Sequence, residues 1–390
     1  MIRLGIFLSF AYLQVNFLAG QAPKPKLDNE KLANVFQKSL EEAYEKSQFP
    51  GGSATIVLPD GSTIDAVVGF AEKESKTKIK ASDRMMSASI GKTYFAAMAV
   101  EMILKKKIAL EDKVSKHLGD RDWFEKIPNY QDITIAHLMR HQSGIPRYVF
   151  NPQVWKDAIA DPDLEWKPGD QLKYIYDRKP VHAAGDGWAY SDTNYILLGL
   201  ILEKVANTSA YDYVANQLLK PNKLANTIPN DRRELKGLIQ GYDVVFRRLG
   251  MPEKVIQDGK FAINPQMEWC GGGFLCTPND LAKWAHVYFS GNAFEGDYVK
   301  LLTDDAADSS SMLGANSRYG LGVIIRQTKN GTLLGHDGGF PGYSSTMGYY
   351  PEHKIAAAFM YNTDDPRALK QPAFAVMDQL VSKVIEAMKN

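Results

Sequence analysis

Apolar residues recur along the chain with two periods, and the switches between them divide it into three stretches. From residue 29 to 47, Leu32, Val35, Phe36 and Leu40 return at the spacing of one helix face. From 53 to 71 the chain reads as two apolar strands turning at Asp60-Gly61, which predicts a hairpin. A second helix is expected from Ser89 to Lys106, with Ile90, Phe95, Met98, Met102 and Ile103 on its buried side. From about 110 to 285 the pattern is mostly helical with long connections. Thr134 can cap a helix running through Arg140, NYILLGLILEKVA is a strongly apolar helix, and SAYDYVANQLLK follows Thr208 or Ser209 and stops at Pro221. The polar, aromatic stretch between Pro168 and Trp188 has no clear period and reads as a loop insertion. Strands return near the end. GLGVIIRQTKNGTLLGHDGG turns at Asn330-Gly331, YSSTMGYYP and KIAAAFMYN join around Glu352 and His353, and Met377, Leu380, Val381, Val384, Ile385 and Met388 stripe a closing helix.

Strand signals at both ends of a helical middle predict an α/β (α+β) architecture, an antiparallel sheet flanked by helices. Residues 30–110 and 286–390 are expected to build the sheet domain, and 111–285 an inserted, mostly helical domain. The first residues differ in kind. Arg3 precedes an apolar run from Leu4 to Leu18, and the small residues Ala19 and Gly20 follow. That is the form of a secretory signal peptide over 1–20, with 21–29 as a polar, Pro-rich linker. The run is short of the roughly 20 apolar residues that a span needs. A secreted or periplasmic protein is expected, with no stable membrane insertion after cleavage.

Of the 390 residues, 45% are hydrophobic and the formal net charge is +1, so no basic field points to nucleic acid. The run Lys105, Lys106, Lys107 reads as the solvated end of a helix. Cys270 and Cys276 are too few for a disulfide framework; either a local disulfide or two buried thiols fits. No second Cys/His pair accompanies them, so zinc is not expected. His137 and His141 stand four apart but without the Glu of a zinc-protease motif, and read as structural. The glycine-rich CGGGF and GHDGGFPG lack nucleotide-cradle spacing.

Three short elements carry candidate chemistry. In Ser89-Ile90-Gly91-Lys92 a hydroxyl at a helix start has an amine one turn on, able to take its proton if burial or nearby cations lower its pKa. This is the S-x-x-K arrangement of penicillin-interacting serine enzymes. Tyr190-Ser191-Asp192 precedes the apolar helix, and His336-Asp337-Gly338-Gly339 follows the Asn330-Gly331 turn. In that order the three resemble the family of class C β-lactamases, D-alanyl-D-alanine carboxypeptidases and β-lactamase-like esterases, the S12 peptidase type. ITIAHLMRHQSGIP, IALEDKVSKHL and GGGFLCTPNDLAKW are similar to further family segments. The resemblance covers roughly 30 to 390, with a gap near 170 to 186.

The resemblance implies a β-lactamase/transpeptidase-like fold and a serine acyl-enzyme. Ser89 is then the nucleophile, Lys92 and Tyr190 manage its proton, and the amides of Ser89 and Gly339 form the oxyanion hole. Asp192, His336 and Gly338 fall at substrate-binding positions, with His336 a donor to Tyr190 whose charge varies near neutral pH. Two departures stand out. Asp192 replaces the family's Asn and cannot donate an amide N–H, and His336 replaces the lactamases' Lys. A small-molecule or short-peptide substrate is expected, an ester, an amide or a D-amino-acid peptide, with no cofactor. The alternatives are a β-lactamase proper and a non-catalytic ligand-binding or assembly protein on the same scaffold.

Overall fold

The computed structural model describes residues 28–389; the expected signal peptide and most of the linker lie outside them. Helix α1 (Asn29–Glu45), capped by the Asp28 carboxylate, leads into strands β1 (Gly51–Val57), β2 (Thr63–Glu72) and β3 (Thr77–Lys78). The C-terminal part supplies β4 (Ala307–Asp308), β5 (Arg318–Tyr319), β6 (Ile324–Thr328), β7 (Gly331–Phe340), β8 (Tyr343–Tyr350) and β9 (Ile355–Tyr361). They make one nine-stranded antiparallel sheet in the order β3-β2-β1-β9-β8-β7-β6-β5-β4. The chain ends of the sequence therefore meet at β1 and β9, where Gly52 stands opposite Tyr361 and Val57 opposite Ala356.

Every residue of β9 is buried, because both faces of the sheet are covered. Ala357, Phe359 and Tyr361 share a core with Leu32, Phe36 and Leu40 of α1 and with Leu380, Val381 and Val384 of the C-terminal helix (Ala373–Lys389). Ala356, Ala358 and Met360, the alternate positions, join the larger core on the opposite face. There the helix Pro278–Phe289, which straddles the expected boundary at 285/286, packs on β1, β8 and β9.

Two helices beside that core are buried nearly all round, which is why their sequences lack a polar stripe. They are α2 (Lys92–Leu104) and α3 (Asp192–Ala206). The expected helix start at Ser89 is instead a 3₁₀ turn, Ala88–Gly91, with α2 beginning at Lys92. A small three-stranded sheet joins the segment before this turn to the middle of the chain: Phe274–Cys276 pairs with Met85–Met86 on one side and Ile228–Pro229 on the other. The stretch 170–186 is not a loose insertion. Leu172, Tyr174 and Ile175 are buried, and the Tyr174 hydroxyl donates to Asp157 at 2.7 Å.

Candidate active site

The Ala88–Gly91 turn that carries Ser89 is held from three directions. Ser87 Oγ donates to the Phe274 carbonyl at 2.9 Å, and Ser345 Oγ of β8 donates to the Ser87 carbonyl at 2.8 Å. Ala88 takes the left-handed conformation, φ +49°, which costs a non-glycine residue on the order of 1 kcal/mol or more and persists only where surroundings enforce it. Its side chain is fully buried. On the third side, a Cβ at Gly91 would come within 1.6 Å of the Gly272 carbonyl oxygen, so only glycine allows the 269–273 loop this close. The CGGG run thus serves backbone approach to the turn.

That approach places Lys92. Its side chain is fully buried, and its ammonium donates to Ser89 Oγ at 3.0 Å, to Asp192 Oδ1 at 2.7 Å and to the Gly271 carbonyl. Arg147 holds the other oxygen of Asp192 through Nε at 2.9 Å and Nη2 at 2.7 Å. Burial opposes the charge on Lys92, but Asp192 and then Tyr190 outweigh it, and the ammonium is held above its ordinary range. The same burial acts against the Asp192 carboxylate, yet Arg147 and Lys92 depress its pKa far below the usual range. This corrects the sequence expectation of an amine whose pKa is lowered by burial or nearby cations: the carboxylate at 192 reverses the sign.

Tyr190 lies over Lys92, whose Nζ is 5.0 Å from the ring centroid, and Arg147 is 5.2 Å away. Its hydroxyl is buried and closes no hydrogen bond of ordinary geometry, although Ser89 and Lys92 are the neighbours that favour its phenolate. Burial dominates and keeps the phenol protonated above its usual pKa. His141 supports this segment from beneath, with its ring 4.2 Å from that of Tyr190. Its Nδ1 accepts from the Ser191 amide at 3.3 Å and stands 3.1 Å from Asn194 Nδ2. His137 instead completes a capping box with Thr134 on a helix that ends at Met139. The two histidines therefore do different structural work, and no metal-holding cluster occurs among the described residues.

His336 lies beside Tyr190, as expected, with ring centroids 6.2 Å apart, but it does not donate to it. Its Nδ1 donates to the Asp337 carbonyl at 2.6 Å, so its Nε2 is free to accept the Tyr319 hydroxyl at 2.9 Å. Tyr319 also packs edge-on against Tyr190. Burial, with Lys92 nearby, pushes His336 down to about 4, so the expected change of charge near neutrality does not occur. Gly338 also departs from expectation: a Cβ there would strike the Ser87 carbonyl, so this glycine seats the strand against the nucleophile turn. Gly339, next along β7, is exposed and opens on the cleft with Ser89.

The cleft itself has about 230 Å³ of interior space, and Ser89, Arg147, Asp192, Glu268 and Gly339 are among the residues that line it. Phe150, Trp155, Val245, Phe246, Leu249 and Phe340 make the apolar part of the lining. None of 170–186 lines it; the loop from 244 to 249 takes that place. Arg147 and Glu268 escaped the sequence reading. Glu268 is buried, with Oε2 held by Asn230 Nδ2 at 2.9 Å and the Gly273 amide at 3.0 Å, and burial raises it to about 7. The only signal for Arg147 was its place just after HQSGIP, and for Glu268 its place just before WCGGG. Both cysteines are free and buried, with thiols pushed up by burial.

The Beta-lactamase family model matches residues 35–381. The chain belongs to the β-lactamase family. Membership makes it a serine hydrolase, in keeping with the Ser89–Lys92 pair. Among relatives of the β-lactamase family, a penicillin-binding protein of Bacillus subtilis (strain 168) is 24% identical over 360 residues, covering 88% of this chain and 75% of that protein. A D-aminopeptidase of Brucella anthropi is 24% identical over 336 residues, covering 84% of this chain but only 58% of that protein's length. Among solved structures, a D-stereospecific amidohydrolase from Streptomyces sp. superposes with a TM-score of 0.74 at 23% identity, covering 91% of this chain and 98% of that one. The D-amino acid amidase from Ochrobactrum anthropi SV3 gives 0.71 at 20% identity, covering 93% and 98%. At these identities the superpositions speak for the fold.

Proposed function

We propose that this β-lactamase-family enzyme hydrolyses an amide or ester, with D-amino-acid derivatives the favoured class, through an acyl-enzyme on Ser89. The observation that carries the reading is Lys92 Nζ at 3.0 Å from Ser89 Oγ, with the Tyr190 ring centroid 5.0 Å from the same ammonium. Ser89 Oγ attacks the carbonyl carbon, its proton passes to Tyr190 or Lys92 once that pair has lost one, and Tyr190 returns a proton to the leaving group. Water then attacks the acyl-enzyme with the same pair as base. The amides of Ser89 and Gly339 receive the developing oxyanion; each such donor is worth about 3 kcal/mol.

Both members of the pair rest protonated, because Asp192 holds the Lys92 proton and burial holds that of Tyr190. Lys92 therefore first serves as a fixed charge that stabilises the Ser89 alkoxide and the Tyr190 phenolate. His336, held neutral, does not supply the fixed cation that the lactamases' Lys would place at this position of the strand, whatever other cations line the cleft. That favours an amidase, peptidase or esterase over a β-lactamase proper. The names of the D-aminopeptidase and D-amino acid amidase relatives support the D-amino-acid class. No cofactor is needed for this chemistry. No described helix is long and apolar enough to cross a membrane, and export directed by residues 1–20 belongs to the same proposal.

The test is a panel of matched D- and L-amino acid amides, p-nitrophenyl esters and nitrocefin. Turnover of D-amides or esters well above that of nitrocefin supports the reading. Efficient nitrocefin hydrolysis would restore the lactamase alternative, and binding without any turnover the non-catalytic one.

A further inference from the structure

The cleft carries a cationic edge that acyl transfer does not use. Arg147 spends Nε and Nη2 on one oxygen of Asp192, and no hydrogen bond among the described residues engages its Nη1. The side chain keeps 21% exposure, all the more notable beside the fully buried Lys92. Its plane is fixed between the Phe150 ring at 4.5 Å and the Tyr190 ring at 5.2 Å. Arg248, from the loop 244–249, is exposed, lines the same cleft and has no ion pair or side-chain hydrogen bond among the described residues. Its neighbour Arg247, by contrast, faces Glu253 at 3.5 Å.

The acidic groups nearby do not cancel this edge. Asp192 has both oxygens taken by Lys92 and Arg147. Glu268 has one oxygen tied to Asn230 and Gly273. Much of the remaining lining of the cleft is apolar, with Phe150, itself 73% exposed, Trp155, Phe246, Leu249 and Phe340. An exposed aromatic beside a held guanidinium suits a ligand with a flat apolar part and an acceptor pair, since guanidinium forks match carboxylates.

Building on the acyl-transfer reading, we infer that the preferred substrate carries a carboxylate together with an aromatic or branched aliphatic group, and that Arg147 Nη1 and Arg248 select it. A free ammonium in the same place would face two guanidiniums. Arg147 thereby supplies the substrate-facing N–H that the carboxylate at position 192 cannot.

The experiment uses p-nitrophenyl esters of phenylpropanoic acid whose ring bears a para-carboxylate, a para-carboxamide or a para-aminomethyl group. The expected order of kcat/KM is carboxylate, carboxamide, aminomethyl, with about tenfold between the first two, the size of one charge-assisted contact. Arg248→Gln and Arg147→Lys each bring the carboxylate-to-carboxamide ratio down severalfold, while Arg247→Gln leaves it unchanged. A flat or reversed order overturns the inference, as does a ratio that survives in both variants. Binding to the Ser89→Ala protein, by calorimetry, separates recognition from turnover. There para-carboxyphenylpropanamide binds about tenfold tighter than its carboxamide counterpart. Equal binding overturns the inference even if acyl transfer stands, and failure of a fluorophosphonate to label Ser89 in the unaltered protein would instead strike the acyl-transfer reading.

Discussion

Arg147 closes two hydrogen bonds, at 2.9 and 2.7 Å, on the oxygen of Asp192 that Lys92 leaves free. The three groups form a buried cation–anion–cation line, and removing the central charge leaves two cations facing each other. Breaking such a buried pair costs about 3–5 kcal/mol. Asp192→Asn is therefore expected to lower the midpoint of chemical denaturation by a corresponding amount. It also makes Lys92 easier to deprotonate, because burial then acts against the charge with Tyr190 alone opposing it. The ascending limb of kcat/KM against pH is expected to move to lower pH in this variant. An unmoved limb would show that Lys92 does not set it.

In the unaltered protein the same logic gives a profile that rises with pH through and above neutrality. Lys92 and Tyr190 both hold their protons above their ordinary ranges, and the reactive form lacks one of the two. The apparent pKa belongs to the pair. No additional limb from His336 is expected between pH 5 and 8, because His336 is held down at about 4. Steady-state kinetics over pH 5 to 10, repeated with His336→Asn, checks both points.

Tyr190 is held against Lys92 by a segment whose next residue His141 anchors through the Ser191 amide. His141→Phe keeps the ring packing and removes the acceptor for the Ser191 amide and the Asn194 side chain. Leaving such groups buried and unpaired costs about 1–3 kcal/mol. The expected outcome is lower thermal stability together with a fall in kcat larger than the change in KM. Unchanged kcat would mean that Tyr190 is placed without His141.

How far the sequence spoke for itself differs by element. The hairpins at Asp60-Gly61 and Asn330-Gly331 were legible because turn chemistry and strand period are local. Ser89, Lys92 and Tyr190 were legible through short motifs in order. Arg147 and Glu268 were not, because each gains its meaning from a partner far along the chain: Asp192 for one, Asn230 and Gly273 for the other. His336 misled because its neighbour in sequence, Asp337, offers a carbonyl, and Tyr319 arrives from another strand to take the second nitrogen. The sign of the Lys92 shift was lost for the same reason: a motif records spacing, and not the field of a distant carboxylate.

The loop bearing Val245, Phe246 and Arg248 is tied down by two acids. Asp364 Oδ1 accepts the Val244 amide at 2.6 Å, and Asp243 Oδ1 the Phe246 amide at 3.2 Å. Their second oxygens are buried with no hydrogen-bond partner, and burial and then Asp364 raise Asp243 to about 8, against a small pull from Arg247. A folded pKa above the unfolded one binds the proton more tightly in the native state, so stability declines as pH rises from the ordinary carboxylate range to about 8. Thermal denaturation from pH 5 to 9 is expected to show that decline. Asp364→Asn, which keeps a donor for Asp243, is expected to flatten it; an equal slope in the variant would assign the decline to other groups.

The most direct measurement of the central claim is intact-protein mass spectrometry after reaction with a fluorophosphonate, followed by peptide mapping. A single adduct on the peptide containing Ser89, absent from the Ser89→Ala protein along with all turnover, is the expected result. Hydrolysis that persists in Ser89→Ala, or an adduct on any other serine, would contradict it.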